Sequence, residues 1–108
     1  MVMVSFKQFQ ELDLRVGKVL AADAVPGADK LYKLSVDLGE KTVTLVAGLK
    51  PYYKPEEIKG KSVIVVANLD PVVLKGVKSE GMLLAGQDGP VVSLLTVDKG
   101  LKPGSKIS

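Results

Sequence analysis

The stretch Leu31–Ala47 (LYKLSVDLGEKTVTLVA) constrains the fold more than any other feature of the chain. Tyr32, Leu34, Val36 and Leu38 alternate with Lys33, Ser35 and Asp37, and beyond Gly39-Glu40 the alternation resumes with Val43, Leu45 and Ala47. A side-chain period of two puts these apolar groups on one face, so the segment reads as a β-hairpin with one buried side.

Neighbouring segments repeat the theme. Leu14–Ala22 (LRVGKVLAA) reads as a strand whose Gly17 marks a bend or bulge. Val25–Asp29 (VPGAD) is a turn by composition. Ser62–Leu69 (SVIVVANL) is a β-branched run suited to a strand buried on both faces. Met82–Ala85 and Val91–Val97 read as two further strands around a Gly86–Pro90 turn. Ser5 with Phe6 and Phe9 suggests a capped helical turn, and Pro55–Lys59, led by Glu56 and Glu57, suggests a short helix. Short, turn-separated strands suggest an all-β domain, a small closed or partly closed barrel; a five-stranded OB-type barrel places its helix between the third and fourth strands, where Pro55–Lys59 falls. A small sandwich would give a similar pattern. With 108 residues and no linker or repeat, residues 1–108 form one domain.

The composition removes whole classes of chemistry. There is no cysteine and no histidine. Disulfides, thiolate metal sites and the commonest general base are therefore excluded. No acidic cation-binding loop is seen, and no cofactor is expected. Enzymatic catalysis is not expected. A membrane-length apolar run and a signal peptide are both lacking, so a cytoplasmic protein without membrane contact is the expectation. The net charge is +3, carried by lysines with Arg15 as the lone arginine. Lysine suits phosphate contact better than base reading.

Leu74–Ala85 (LKGVKSEGMLLA) is the most distinctive candidate site. Its plain reading is a solvated turn, with Gly76 and Gly81 supplying positive φ and Met82 in the core. Its functional reading makes Lys75 and Lys78 phosphate contacts, Ser79 a hydrogen-bond donor and Met82 an apolar face for a base. Asn68 closes a buried strand, either as a satisfied cap or as a base or ribose contact. Lys30 and Lys33 bracket Tyr32, but Tyr32 shares the core-directed face with Leu34 and Val36. Tyr52-Tyr53, between two prolines, reads as packing of a connecting segment. Every aromatic residue lies at or before Tyr53. That favours a folded RNA, held by shape and phosphates, over a stacked single strand.

Five ordered stretches, Leu12–Leu20, Ala28–Gly39, Ala47–Lys61, Val65–Ala85 and Lys102–Ile107, together resemble one family: the tRNA-binding domain of bacterial methionyl-tRNA synthetases and of free-standing dimeric tRNA-binding proteins. The resemblance implies an all-β, five-stranded OB-fold barrel with short helices and terminal extensions, and a homodimer gripping tRNA, with a methionyl-tRNA synthetase as a further partner. The family's Ser-x-Gly-Met pattern is matched by Ser79, Gly81 and Met82. Asn68, Lys75 and Lys78 match its polar and basic positions there, and Arg15, Lys30 and Lys33 match earlier basic ones. Where the family often has His-Pro-Asn or His-Pro-Asp, this chain has Val25-Pro26-Gly27, so any contact made by that histidine is lost. Some relatives are described as chaperone-like dimers that bind unfolded proteins, and this is the main rival reading.

Overall fold

A computed structural model describes all 108 residues. Its strands are β1 (Leu14–Ala24), β2 (Tyr32–Asp37), β3 (Thr42–Ala47), β4 (Ser62–Val66), β5 (Val72–Leu74), β6 (Val77–Ser79), β7 (Met82–Leu83), β8 (Ala85–Asp88), β9 (Val91–Leu94) and β10 (Lys106–Ile107). Two short helices, α1 (Phe6–Gln10) and α2 (Pro55–Ile58), complete the chain. The main sheet runs β3-β2-β1-β4-β7, with β10 also on β1. All its ladders are antiparallel.

The hairpin expected from the alternation is present in register, with Tyr32 opposite Ala47, Leu34 opposite Leu45 and Val36 opposite Val43. Gly39, at φ +90°, turns the corner. β1 is long enough to serve two partners. Leu14–Lys18 pairs with β4 and Lys18–Ala24 with β2. The tail fills the edge that β2 leaves free: Gly104 N–H donates to Val16 O at 2.7 Å and Val16 N–H to Ser105 O at 2.9 Å.

The bend in β1 falls at Leu20, where the register shifts between Val19 and Ala21. It does not fall at Gly17. A Cβ on Gly17 would stand 2.5 Å from Val36 Cγ1, so the glycine leaves room for the Val36, Val65 and Leu38 side chains to pack over β1. Val16, Val19, Leu34, Val36, Leu45, Val63 and Val65 fill the interior, and Ile58 of α2 is fully buried among them. At about 25 cal/mol per Å² of apolar surface, each such side chain contributes roughly 1.5–3 kcal/mol of transfer free energy.

Three segments differ from expectation. The apolar run from Ser62 leaves the sheet after Val66, and Asn68 and Leu69 are exposed. The Leu74–Ala85 stretch, read as a solvated turn, contains the tip and second strand of a β5–β6 hairpin, and the two expected last strands are three: β7, β8 and β9.

Candidate nucleic-acid interface

The barrel closes where β3 meets the Ser79–Gly81 segment. Ser79 is 3% exposed. Its hydroxyl accepts from Val46 N–H at 3.0 Å and donates to Gly81 O at 3.0 Å. Glu80 N–H donates to Thr44 O at 2.8 Å, while the Glu80 carboxylate accepts from Thr44 N–H at 3.1 Å. The free edge of β3 is thus satisfied by one side chain, one backbone group and one carboxylate. Gly81 lacks the positive φ expected of it. A Cβ there would lie 2.7 Å from Val66 O, so it is glycine because β4 passes against its Cα. Ser79 and Gly81 therefore shape the site from within and present no side chain to a ligand.

Two other candidates also spend their polar groups inside the chain. Asn68 Oδ1 accepts from Asp13 N–H at 2.8 Å and its Nδ2 donates to Glu11 O at 2.6 Å, tying the α1–β1 junction to the end of β4. Arg15 Nε donates to Asp13 Oδ1 at 2.6 Å and Nη1 to Gly104 O at 3.2 Å, holding the tail against β1. Through these bonds both residues tie separate parts of the chain together, Asn68 from an exposed position and Arg15 from a half-buried one.

The lysines behave differently. Lys30, in the turn between β1 and β2, is exposed, as are Lys33 on β2, Lys75 and Lys78, and none forms an ion pair with a carboxylate. Lys33 pairs with Val46 across the β2–β3 ladder, and Val46 N–H meets Ser79, the neighbour of Lys78. Lys33 and Lys78 thus sit on strands flanking β3. Lys75 occupies the tip of the β5–β6 hairpin at φ +50°, the one non-glycine residue at positive φ, followed by Gly76 at φ +79°. Paired positive φ in a two-residue hairpin loop is the type I′ arrangement, which ordinarily selects Asn-Gly or Gly-Gly. A lysine held there is strained by about 1–2 kcal/mol.

Met82 is 48% exposed and therefore is not core. It lines a groove of about 390 Å³ together with Tyr52, Leu49 and Val92. The tyrosine pair divides: Tyr53 packs, its hydroxyl accepting from Leu94 N–H at 3.0 Å, whereas Tyr52 is 44% exposed. Tyr32 points inward as expected, its hydroxyl donating to Tyr53 O at 2.7 Å. Lys50 and Lys54 line an adjoining hollow beside Tyr52. The sequence signal for these three was the spacing in KPYYKP, the same basic and aromatic interleaving seen at Lys30–Lys33.

An OB barrel binds nucleic acid across strands 2 and 3 and the loops after strands 1 and 4. Here those places carry Lys30, Lys33 and the β5–β6 hairpin with Lys75 and Lys78. The fold and its lysines thus define an OB-fold of the nucleic-acid-binding type.

The tRNA binding domain family model matches residues 14–106, and the chain belongs to that family. It is 58% identical over 104 residues to the methionine–tRNA ligase of Pyrococcus horikoshii, covering 96% of this chain and 14% of that enzyme. The chain thus spans about a seventh of the length of that relative. Among solved structures, a MetRS related protein from Pyrococcus horikoshii superposes with a TM-score of 0.94 at 33% identity, covering 100% of both chains. The chaperone CsaA from Bacillus anthracis superposes with a TM-score of 0.89 at 34% identity, covering 99% of this chain and 100% of that one.

Proposed function

We propose that this chain is a structure-specific, largely sequence-independent tRNA-binding module of the cytoplasm, working as a homodimer beside a methionyl-tRNA synthetase and catalysing no reaction itself. One observation carries the reading. Lysines that have no partner in the chain stand at Lys30, Lys33, Lys75 and Lys78, the places an OB barrel offers to nucleic acid, in a member of the tRNA-binding family. Lysine contacts neutralise phosphates and release counterions, which yields affinity without base specificity. Folded RNA is held mainly by shape, phosphates and 2′-hydroxyls. A module that holds tRNA close raises its effective concentration at an attached or associated enzyme.

The homodimer is supported by α1. Phe6 is 72% and Phe9 40% exposed, and the helix buries none of its residues. Five residues make no stable helix in isolation, and an apolar face this exposed suits a second copy.

The test is fluorescence-anisotropy titration of the protein against total tRNA, a plain RNA duplex and single-stranded DNA, each across a salt series. The expected result is preference for tRNA with an affinity that falls steeply as salt rises. Equal or absent binding to all three would count against it. The likeness to a chaperone supplies the competing outcome: capture of an unfolded polypeptide that survives high salt.

A further inference from the structure

The groove beside Met82 is not needed for phosphate contact, and its construction calls for its own occupant. Its walls are Val46, Leu49, Tyr52, Met82, Ala85 and Val92, and no charged residue lines it. Tyr52 is held by a tight turn, with Tyr52 N–H and Tyr53 N–H both donating to Leu49 O at 2.9 Å. Leu49 is itself buried, so the turn that carries Tyr52 is anchored to the core. The hydroxyls of Tyr32 and Tyr53 are engaged inside the barrel, and Lys61 lies over the Tyr53 ring at 5.0 Å. Tyr52 alone of the three has its hydroxyl unpartnered and half its surface in water.

The polar fittings are few and convergent. Gly48 N–H and C=O take no partner from the chain, and Gln87 uses only its Nε2, donating to Gly89 O at 3.3 Å. The Gly48 N–H and the Tyr52 hydroxyl therefore remain to donate, and the Gly48 C=O and Gln87 Oε1 to accept, along an otherwise apolar slot. The charges lie just outside it: Lys33 is the cross-strand partner of Val46, and Lys50 and Lys54 share the neighbouring hollow with Tyr52 and with Glu57, whose carboxylate is turned back to accept from Lys54 N–H at 2.7 Å. An apolar slot with an aromatic wall, an amide edge and lysines outside it matches a nucleobase with its flanking phosphates. It suits an extended peptide less well, because the β3 edge that would accept a peptide strand is already closed by Ser79–Gly81.

We infer that this groove takes one unstacked nucleobase of the bound RNA. The base lies against Tyr52 and Met82, and its neighbouring phosphates meet Lys33 and Lys50. The inference rests on the tRNA-binding reading and adds the feature of the RNA that is recognised: a base free of its helix. Its identity is not read closely, because an aromatic face accepts any base.

The experiment titrates wild type, Tyr52→Ala, Tyr52→Phe and Met82→Ala against a tRNA transcript, a blunt RNA duplex with no unpaired base, and a reduced, carboxymethylated protein. Tyr52→Ala should weaken tRNA binding about tenfold and leave the duplex affinity within about twofold, since a base–aromatic stack is lost and the phosphate contacts stay. Tyr52→Phe should bind like wild type, and Met82→Ala should fall between. Unchanged tRNA binding by Tyr52→Ala, or an equal loss for tRNA and duplex, overturns the slot and leaves the tRNA-binding reading standing. Loss of binding only to the unfolded protein overturns it in favour of a peptide groove. A wild type that ignores tRNA overturns both.

Discussion

Ser79 and Lys78 are adjacent, yet the structure gives them opposite physical roles. Ser79 is buried and bridges Val46 N–H to Gly81 O, whereas Lys78 is exposed. Replacing Ser79 by alanine leaves a strand-edge N–H buried without a partner, which costs about 1–3 kcal/mol. Ser79→Ala should therefore lower the denaturant midpoint of unfolding while the folded protein keeps its affinity for tRNA. Lys78→Ala should do the reverse, with an unchanged midpoint and weaker binding. A Ser79→Ala protein of normal stability and poor affinity would reassign the serine to the RNA. Gly81→Ala belongs with Ser79, because its Cβ would meet Val66 O at 2.7 Å and force β4 and β7 apart. Overpacking of this kind costs about 1–3 kcal/mol. The motif as written in the sequence mixes a closure device with an exposed lysine, and only packing separates the two. A serine that caps a strand edge and one that faces a ligand look alike in one dimension.

At the level of elements, the β5–β6 hairpin carries one of its two lysines, Lys75, at positive φ, where the backbone least favours a non-glycine residue. Alanine at position 75 would remove the charge but keep the strain of positive φ. Asparagine removes the charge and relieves the strain, because Asn-Gly is the preferred type I′ pair. Lys75→Asn should hold or raise thermal stability, weaken tRNA binding and flatten the dependence of log K on log salt by about one unit. Full affinity in that variant would take the hairpin tip out of the interface. The hairpin also marks the limit of what could be read in advance. The β2–β3 pair was legible because apolar and polar residues alternate from Tyr32 to Leu38 and again from Thr42 to Leu45, and α2 was legible from Pro55 and the two glutamates after it. The β5–β6 pair was not legible. Val72, Val73 and Leu74 are consecutive apolar residues that stay exposed, so neither period nor burial announces a strand. Tyr52 was passed over for a related reason: its neighbour Tyr53 packs, and the sequence shows the pair as one unit.

The whole molecule has a surface its own fold does not complete. Ser5 and Gln8 form a capping box that fixes the start of α1, and the Phe6 and Phe9 rings stack with centroids 6.5 Å apart. With Leu12 and Ile107 they border a groove of about 340 Å³ between α1 and the tail. The tail is anchored from beneath by Arg15 and by the Val16 backbone, so α1 and β10 meet solvent as one platform. A two-fold pairing of such platforms covers both at once, since each copy supplies the same patch to the other. It would also place two lysine surfaces on one particle, so that a single tRNA meets both. Phe6→Ser combined with Phe9→Ser removes the apolar face and touches no buried residue of the barrel, so each copy should fold. Sedimentation should then shift from the dimer to a single chain of 11.4 kDa, and tRNA affinity should drop by about a hundredfold as the second contact surface is lost. Wild type sedimenting as a single chain would remove the dimer, and a monomeric variant with full affinity would show that one barrel suffices to hold the RNA.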